Sequence, residues 1–181
     1  MKKVLIISSS LRHNSNSELL AKQVFKGSND VGNKTEFVSL KDKDIRFCKG
    51  CLACQKTYKC VIKDDVAEIL NKVKEADVLV FATPIYYYGL SGQLKTLLDR
   101  LNPLYSQDYN FRDIYLLTSS AEDSEEVYEK AVNCLEGWID CFPEAHFSSV
   151  FSAGGIDIND IKKDPDHSHY LEEAYEFGKG L

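Results

Sequence analysis

The sequence predicts a doubly wound α/β fold: a five-stranded parallel sheet in the order 2-1-3-4-5, sandwiched in a three-layer α/β/α arrangement. Three observations carry that prediction. Short apolar runs alternate with 3.6-periodic helical patterns along the chain, which requires parallel strands joined by right-handed crossovers. One run, Val78-Leu79-Val80-Phe81-Ala82, is apolar without alternation, as in a strand buried on both faces. Polar segments follow the first, third and fourth strand-like runs, where the carboxyl ends of such strands gather at the point of strand-order reversal.

The elements follow in order. Val4-Leu5-Ile6-Ile7 is the first strand; it breaks into the polar stretch Ser8 to Ser17, and a helical pattern resumes at Leu19, Leu20, Val24 and Phe25. Ser15-x-x-Glu18 has capping-box spacing. Gly27 to Asn33 carries turn chemistry, and Thr35 to Leu40 alternates as a second strand. Asp64 then reads as the N-cap of a helix carrying Val66, Ile69, Leu70 and Val73. The connection between them, Lys41 to Lys63, is long enough to expect a function for it. Asp77 to Ala82 is the third strand, ended by Thr83-Pro84. Leu94, Leu97, Leu98 and Leu101 mark a helix that Pro103 closes, with Asp99 and Arg100 expected to make local contacts at its end. Asp113 to Thr118 is the fourth strand and Ser119-Ser120-Ala121 a polar turn. A long helix from about Ser124 carries Val127, Ala131, Leu135, Trp138 and Ile139; Cys134 and Cys141 read as core residues on its apolar side. His146 to Phe151 is the fifth strand, and Leu171, Ala174, Tyr175 and Gly178 mark a last helix. One domain is expected over residues 1–181, with a cysteine-rich loop at 41–63.

Composition narrows the function. The chain has 181 residues, a formal charge of −6 and scattered lysines, so it lacks the concentrated basic face that nucleic acid requires. No stretch has the apolar length of a signal peptide core or a membrane span, and the expectation is a cytoplasmic protein without a membrane partner. Four of the six cysteines fall between Cys48 and Cys60. In a reducing compartment that crowding points to metal or redox chemistry rather than structural bridges. The four histidines show no ligand spacing with them.

Ser8 to Ser17 is rich in hydroxyls and amides, contains Arg12 and leads into a helix N-terminus, a combination that suits a phosphate. A helix cap explains the same residues without a ligand. The switch point would gather this loop with Thr83 to Gly89, which holds Tyr86, Tyr87 and Tyr88 beside Pro84, and with the segment after strand four. A ligand with a phosphate at one end and a planar heterocycle at the other would use all three, and FMN is such a ligand.

At these residues the sequence resembles the NAD(P)H-dependent FMN reductases of flavodoxin-like fold, a family that includes the iron–sulfur flavoproteins. The resemblance rests on Ser9 to Ser17, Cys48-Lys49-Gly50-Cys51-Leu52-Ala53-Cys54, Lys63-Asp64-Asp65, Thr83-Pro84-Ile85-Tyr86, Gly92-Gln93-Leu94-Lys95 and Asp99-Arg100. It implies that Ser10, Arg12, Ser15, Asn16 and Ser17, with Ser8 at the start of the loop, hold the FMN phosphate. Pro84, Ile85, Tyr86 and Tyr87 would border the isoalloxazine, and Thr118, Ser119, Ser120 and Ala121 its far side. Leu11 stands where the family usually has proline, and Ser119-Ser120 where it is often glycine-rich. The implied activity is transfer of hydride or electrons from NADH or NADPH through FMN to a quinone, azo, nitro or flavin acceptor, with a homodimer as the working form. The flavin carries that chemistry, so no catalytic side chain is assigned. The alternative is an electron carrier that relays electrons to a redox protein partner without a small-molecule substrate of its own.

Cys48, Cys51, Cys54 and Cys60 resemble the cysteine motif with which iron–sulfur flavoproteins hold a [4Fe–4S] cluster, and closely spaced cysteines on one loop can wrap such a cluster. Free thiols or a reversible disulfide are the other reading. Zinc fits the spacing least well, because its sites usually draw on two separated pairs.

Overall fold

Alternation along the strands divides the interior into two cores, one on each face of the sheet. The computed structural model describes residues 1–122 and 124–181 and has five parallel strands in the order β2-β1-β3-β4-β5. They are β1 (Lys3–Ser8), β2 (Lys34–Ser39), β3 (Val78–Pro84), β4 (Asp113–Ser120) and β5 (His146–Gly154). Leu5, Ile7, Leu79, Phe81, Ile114 and Leu116 belong to one core, to which α3 (Val66–Glu75), α4 (Gly92–Arg100) and α5 (Glu125–Ile139) contribute Val73, Leu97 and Leu135. Val4, Ile6, Val78, Val80 and Leu117 belong to the other, closed by Leu20 and Val24 of α1 (Asn16–Asp30) and Ala174 of α7 (His169–Lys179). Burying each such side chain contributes about 1.5–3 kcal/mol, so the alternation fixes which face every helix covers. The predicted fold class and strand order are the observed ones.

The sheet order reverses at β1, and the carboxyl ends of β1, β3 and β4 meet there. Backbone bonds tie the emerging loops together: Ser9 N donates to Ala82 O at 2.8 Å, Ile85 N to Ser119 O at 2.9 Å and Gly155 N to Ser120 O at 2.8 Å.

Several local expectations change. Gly27 and Ser28 are not turn residues, because α1 runs through them to Asp30. A Cβ on Gly27 would lie 2.1 Å from the Tyr175 carbonyl oxygen, and one on Gly178 would lie 2.3 Å from that of Val24. These glycines let α1 and α7 touch backbone to backbone. Pro103 does not end the chain's helical path; it opens a 3-10 helix, Asn102–Ser106, where its missing N–H costs nothing. Ser119 and Ser120 close β4 rather than forming a turn. Cys134 and Cys141 are exposed, not core: Cys134 falls off the edge of the Ala131–Leu135–Ile139 stripe, and Cys141 lies beyond the helix end. Two short helices escape the periodicity altogether, α2 (Ala53–Thr57) inside the cysteine loop and α6 (Asp160–Lys163) after β5.

Candidate functional site

The polar stretch after β1 is shaped by its own hydroxyls. Ser15 caps α1, its Oγ accepting from Glu18 N at 3.3 Å. The reciprocal half of the capping box is replaced by an ion pair, because the Glu18 carboxylate meets Lys22 at 2.8 Å. Ser9 is buried; its Oγ donates to Ala82 O at 3.0 Å and accepts from Ser91 Oγ at 2.9 Å. Ser91 also caps α4 and is held by Thr83 Oγ1, so the loop after β1 is bolted to the start of α4.

A cavity of about 190 Å³ lies at the switch point, lined by Ser10, Arg12, Ser15, Asn16, Pro84, Ile85, Tyr86, Ser119, Ser120 and Ala121. Ten of the sequence-predicted residues are thus brought together. Ser8, Ser17 and Thr118 sit one layer deeper, fully buried, and the hydroxyl of each has no hydrogen-bond partner in the protein. Tyr87 is not in the cavity wall; it is fully exposed at the tip of a two-residue turn. Asp123 of the segment after β4 lies outside the described residues.

The fourth wall was not foreseen. Gly155, Ile156, Asp157 and Ile158, in the connection after β5, close the cavity. Their only signal in the sequence is a glycine after an apolar run. Asn16 Nδ2 binds them to α1, donating to Gly155 O at 3.3 Å and Asp157 O at 3.1 Å. Ile156 and Ile158 are exposed, as are Tyr86, Tyr87 and Tyr88, so the polar cavity opens onto an apolar rim. A larger hollow of about 450 Å³, lined by Lys3, Lys34, Glu36 and Lys72 among others, lies at the opposite, amino-terminal edge of the strands. It is away from the switch point and from every buried unpartnered hydroxyl named above.

The second site is the cysteine loop. Cys48, Cys51, Cys54 and Cys60 line one cavity of about 340 Å³, together with Asp99 and Asn102. Gly50, Leu52 and Tyr58 take left-handed backbone conformations that coil the loop around it. Gly50 N donates to Cys48 Sγ at 3.4 Å, and Asn102 Nδ2 donates to Cys54 Sγ at 3.0 Å. Among the described residues no three Cys, His, Asp or Glu side chains converge as a single ion requires; the thiols surround a volume.

Beneath this loop lies a pair that the sequence reading misassigned. Arg100 makes no local contact at the end of α4; it turns inward and bonds both oxygens of Asp64, at 2.6 and 2.9 Å. Both side chains are buried. Asp64 still bonds Val66 N at 3.3 Å, yet the N-cap position of α3 belongs to Asp65. Burial pushes the Asp64 carboxyl up, but the Arg100 guanidinium and the N–H groups of Arg46 and Val66 outweigh it and hold it below its ordinary value. Asp99 does behave locally, pairing with Lys95 at 2.6 Å.

The profile of the NADPH-dependent FMN reductase family matches residues 2–146, a span that contains the loops after β1, β3 and β4, the cysteine loop and the Asp64–Arg100 pair. The chain belongs to that family. An iron-sulfur flavoprotein of Methanocaldococcus jannaschii is 46% identical over 102 residues, 56% of this chain and 53% of the relative. The chain spans about half the length of the first such relatives it matches. An iron-sulfur flavoprotein of Methanosarcina thermophila is 28% identical over 163 residues, 90% of this chain and 85% of the relative. Among solved structures, an NAD(P)H:quinone oxidoreductase from Methanothermobacter marburgensis superposes with a TM-score of 0.74 at 16% identity, covering 99% of this chain and 98% of its own. That likeness establishes the flavodoxin-like fold.

The flavin nucleotide of an FMN reductase fits the first site at its phosphate end. The N-terminus of α1, the Ser10 and Ser15 hydroxyls and the exposed Arg12, all in the cavity wall, are donors of the kind a phosphate dianion needs. The enclosed volume is smaller than the ~300–1,000 Å³ of typical ligand pockets and opens onto the apolar rim. Among the described residues no helix is long and apolar enough to cross a membrane.

Proposed function

We propose that the chain binds FMN at the switch point and uses it to pass hydride or electrons from NADH or NADPH to a small acceptor of the quinone, azo, nitro or free-flavin class. The observation that carries this reading is the convergence of the loops after β1, β3 and β4 on one cavity at the N-terminus of α1. Arg12 would neutralise part of the phosphate charge, Ser10 and Ser15 would orient its oxygens, and Ile85 and Tyr86 would flank the ring. Bound FMN would supply hydride acceptance and one- or two-electron transfer; the protein's part is to fix the ring and control access to it.

The test is to titrate the purified protein with FMN and then follow anaerobic oxidation of NADH and NADPH with a benzoquinone acceptor. A yellow complex formed at micromolar FMN with acceptor-dependent turnover is expected. Failure to take up FMN would overturn the reading.

A second reading is favoured by the cysteine cavity. Four thiols around one volume, two of them already accepting N–H bonds, suit a [4Fe–4S] cluster, and the chain would then serve as an iron–sulfur flavoprotein that relays electrons to a redox partner. Such a carrier would bind FMN and iron yet oxidise nicotinamide negligibly. For assembly, we infer a homodimer in which the exposed tip at Tyr87 meets the partner; a monomer by light scattering would remove that expectation.

A further inference from the structure

Arg100 is more than half of an ion pair. Its Nη1 donates to the carbonyl oxygen of Arg46 at 2.5 Å, and its two terminal nitrogens grip Asp64. Arg46 and Asp64 stand just before and just after the segment that carries the four cysteines. The same two ends are stitched directly as well: Arg46 N donates to Asp64 Oδ2 at 3.0 Å, Asp44 N to Asp65 Oδ2 at 2.7 Å, and the Arg46 guanidinium bonds the Lys63 carbonyl. Residues 44–46 and 63–65 therefore form a neck, and Arg100 is the buried bolt through it. Asp99 and Asn102, which flank it in the chain, line the cysteine cavity with Cys60.

We propose that Arg100, clasped by Asp64, is a positioning residue for the cysteine site: it holds the loop closed so that four thiolates stay gathered. This rests on the reading of the cavity as an iron–sulfur site. Groups that orient metal ligands from behind change metal affinity by about 10–100-fold when removed. Potentials follow net charge, and the Arg100–Asp64 pair is neutral as a whole.

The experiment compares wild type with two variants after anaerobic reconstitution with iron and sulfide. The first combines Arg100→Met with Asp64→Asn, so that no carboxylate is left buried without its partner. The second is Arg100→Lys, which keeps the charge but cannot bond both Asp64 oxygens and the Arg46 carbonyl together. Iron per chain, the rate of iron loss to a chelator and the midpoint potential are measured, with FMN affinity as the control.

Wild type is expected to hold about four irons. The double variant should lose them at least about tenfold faster, while its potential stays near that of wild type, because the two substitutions remove one positive and one negative charge together. Arg100→Lys should lose iron about tenfold faster while its potential stays near that of wild type. FMN affinity should be unchanged in both. A double variant matching wild type in loss rate would overturn the inference while leaving the cluster reading intact. If the double variant does not fold, a wild-type loss rate in Arg100→Lys would overturn it. Wild type that takes up no iron would overturn the cluster reading and this inference with it.

Discussion

Asn16 and Gly155, 139 residues apart, are joined across the mouth of the switch-point cavity by an amide-to-carbonyl bond of 3.3 Å. The approach requires glycine. Gly155 has φ of +147°, and a Cβ there would lie 2.8 Å from Asn16 Nδ2. Gly155→Ala should therefore cost about 1–3 kcal/mol through backbone strain and should weaken FMN binding by displacing Asn16. Asn16→Ala removes the same link without strain, so it should lower FMN affinity with a smaller loss of stability. Urea unfolding and flavin-fluorescence titration check both; equal affinity in all three proteins would detach the β5 connection from the site.

Arg12 and Ser15 separate binding from capping. Arg12 is exposed and Ser15 buried at the helix cap. Arg12→Ala should leave stability within about 0.5 kcal/mol while weakening FMN by about 1.5–3 kcal/mol, the range for a charged hydrogen bond. Ser15→Ala should lose about 1 kcal/mol of stability as a cap and bind FMN more weakly as well. If Arg12→Ala binds FMN like wild type, the phosphate is held elsewhere.

Asp64 predicts a pH dependence. Its carboxyl is held below its ordinary 3.8, with burial opposed and outweighed by Arg100 and the backbone donors. A group whose pKa is lower in the folded state binds protons less readily there than in the unfolded chain. Its contribution is complete above the unfolded value and disappears as pH falls through the folded one. Asp64→Asn should be clearly less stable than wild type near neutral pH, by the ~3–5 kcal/mol of a broken buried pair, and the gap should narrow below about pH 4. Urea denaturation from acid to neutral pH reads this directly; a constant gap would show that Asp64 is not the titrating partner.

Tyr87 and Tyr88 sit at φ of +50° and +64°, in the tip that Tyr86 and Gly89 close with bonds of 3.2 and 3.0 Å. Such two-residue turns favour Asn-Gly, and each left-handed bulky residue costs about 1–3 kcal/mol. Replacing the pair by Asn-Gly should raise the melting temperature by several degrees, on the scale of about 2–4 °C per kcal/mol. Weaker dimerisation or slower turnover in that variant would show what the strain supports. A melting temperature at or below that of wild type would mean that the two rings are held by compensating contacts, of which the approach of Lys130 Nζ to the Tyr88 ring, 5.2 Å from its centroid, is one.

Much of this molecule was legible before its structure. Apolar runs, continuous or alternating, located all five strands among the described residues, and the 3.6 period located five of their seven α-helices, because such patterns report which sides of a local element are buried. The polar and cysteine-rich stretches were visible as interruptions of that pattern. The positions misread share one cause. Gly27 looked like a turn and proved to be a point of backbone contact with α7; Arg100 looked local and proved to clasp Asp64; Cys134 and Cys141 looked apolar and are exposed.

The sequence by itself determined the strand–helix alternation and the loops that carry the hydroxyls, tyrosines and cysteines, since each depends on neighbours within a few residues; the doubly wound order followed from that alternation through the rules for parallel crossovers, not from any local period. Only the tertiary structure decided that Gly155 to Ile158 close the cavity, that Asn16 bridges to them, and that Arg100 bolts the cysteine loop shut. Those contacts join residues 36 to 141 positions apart, and no local period encodes which distant partner the packed sheet will bring within 3 Å or so of a buried donor.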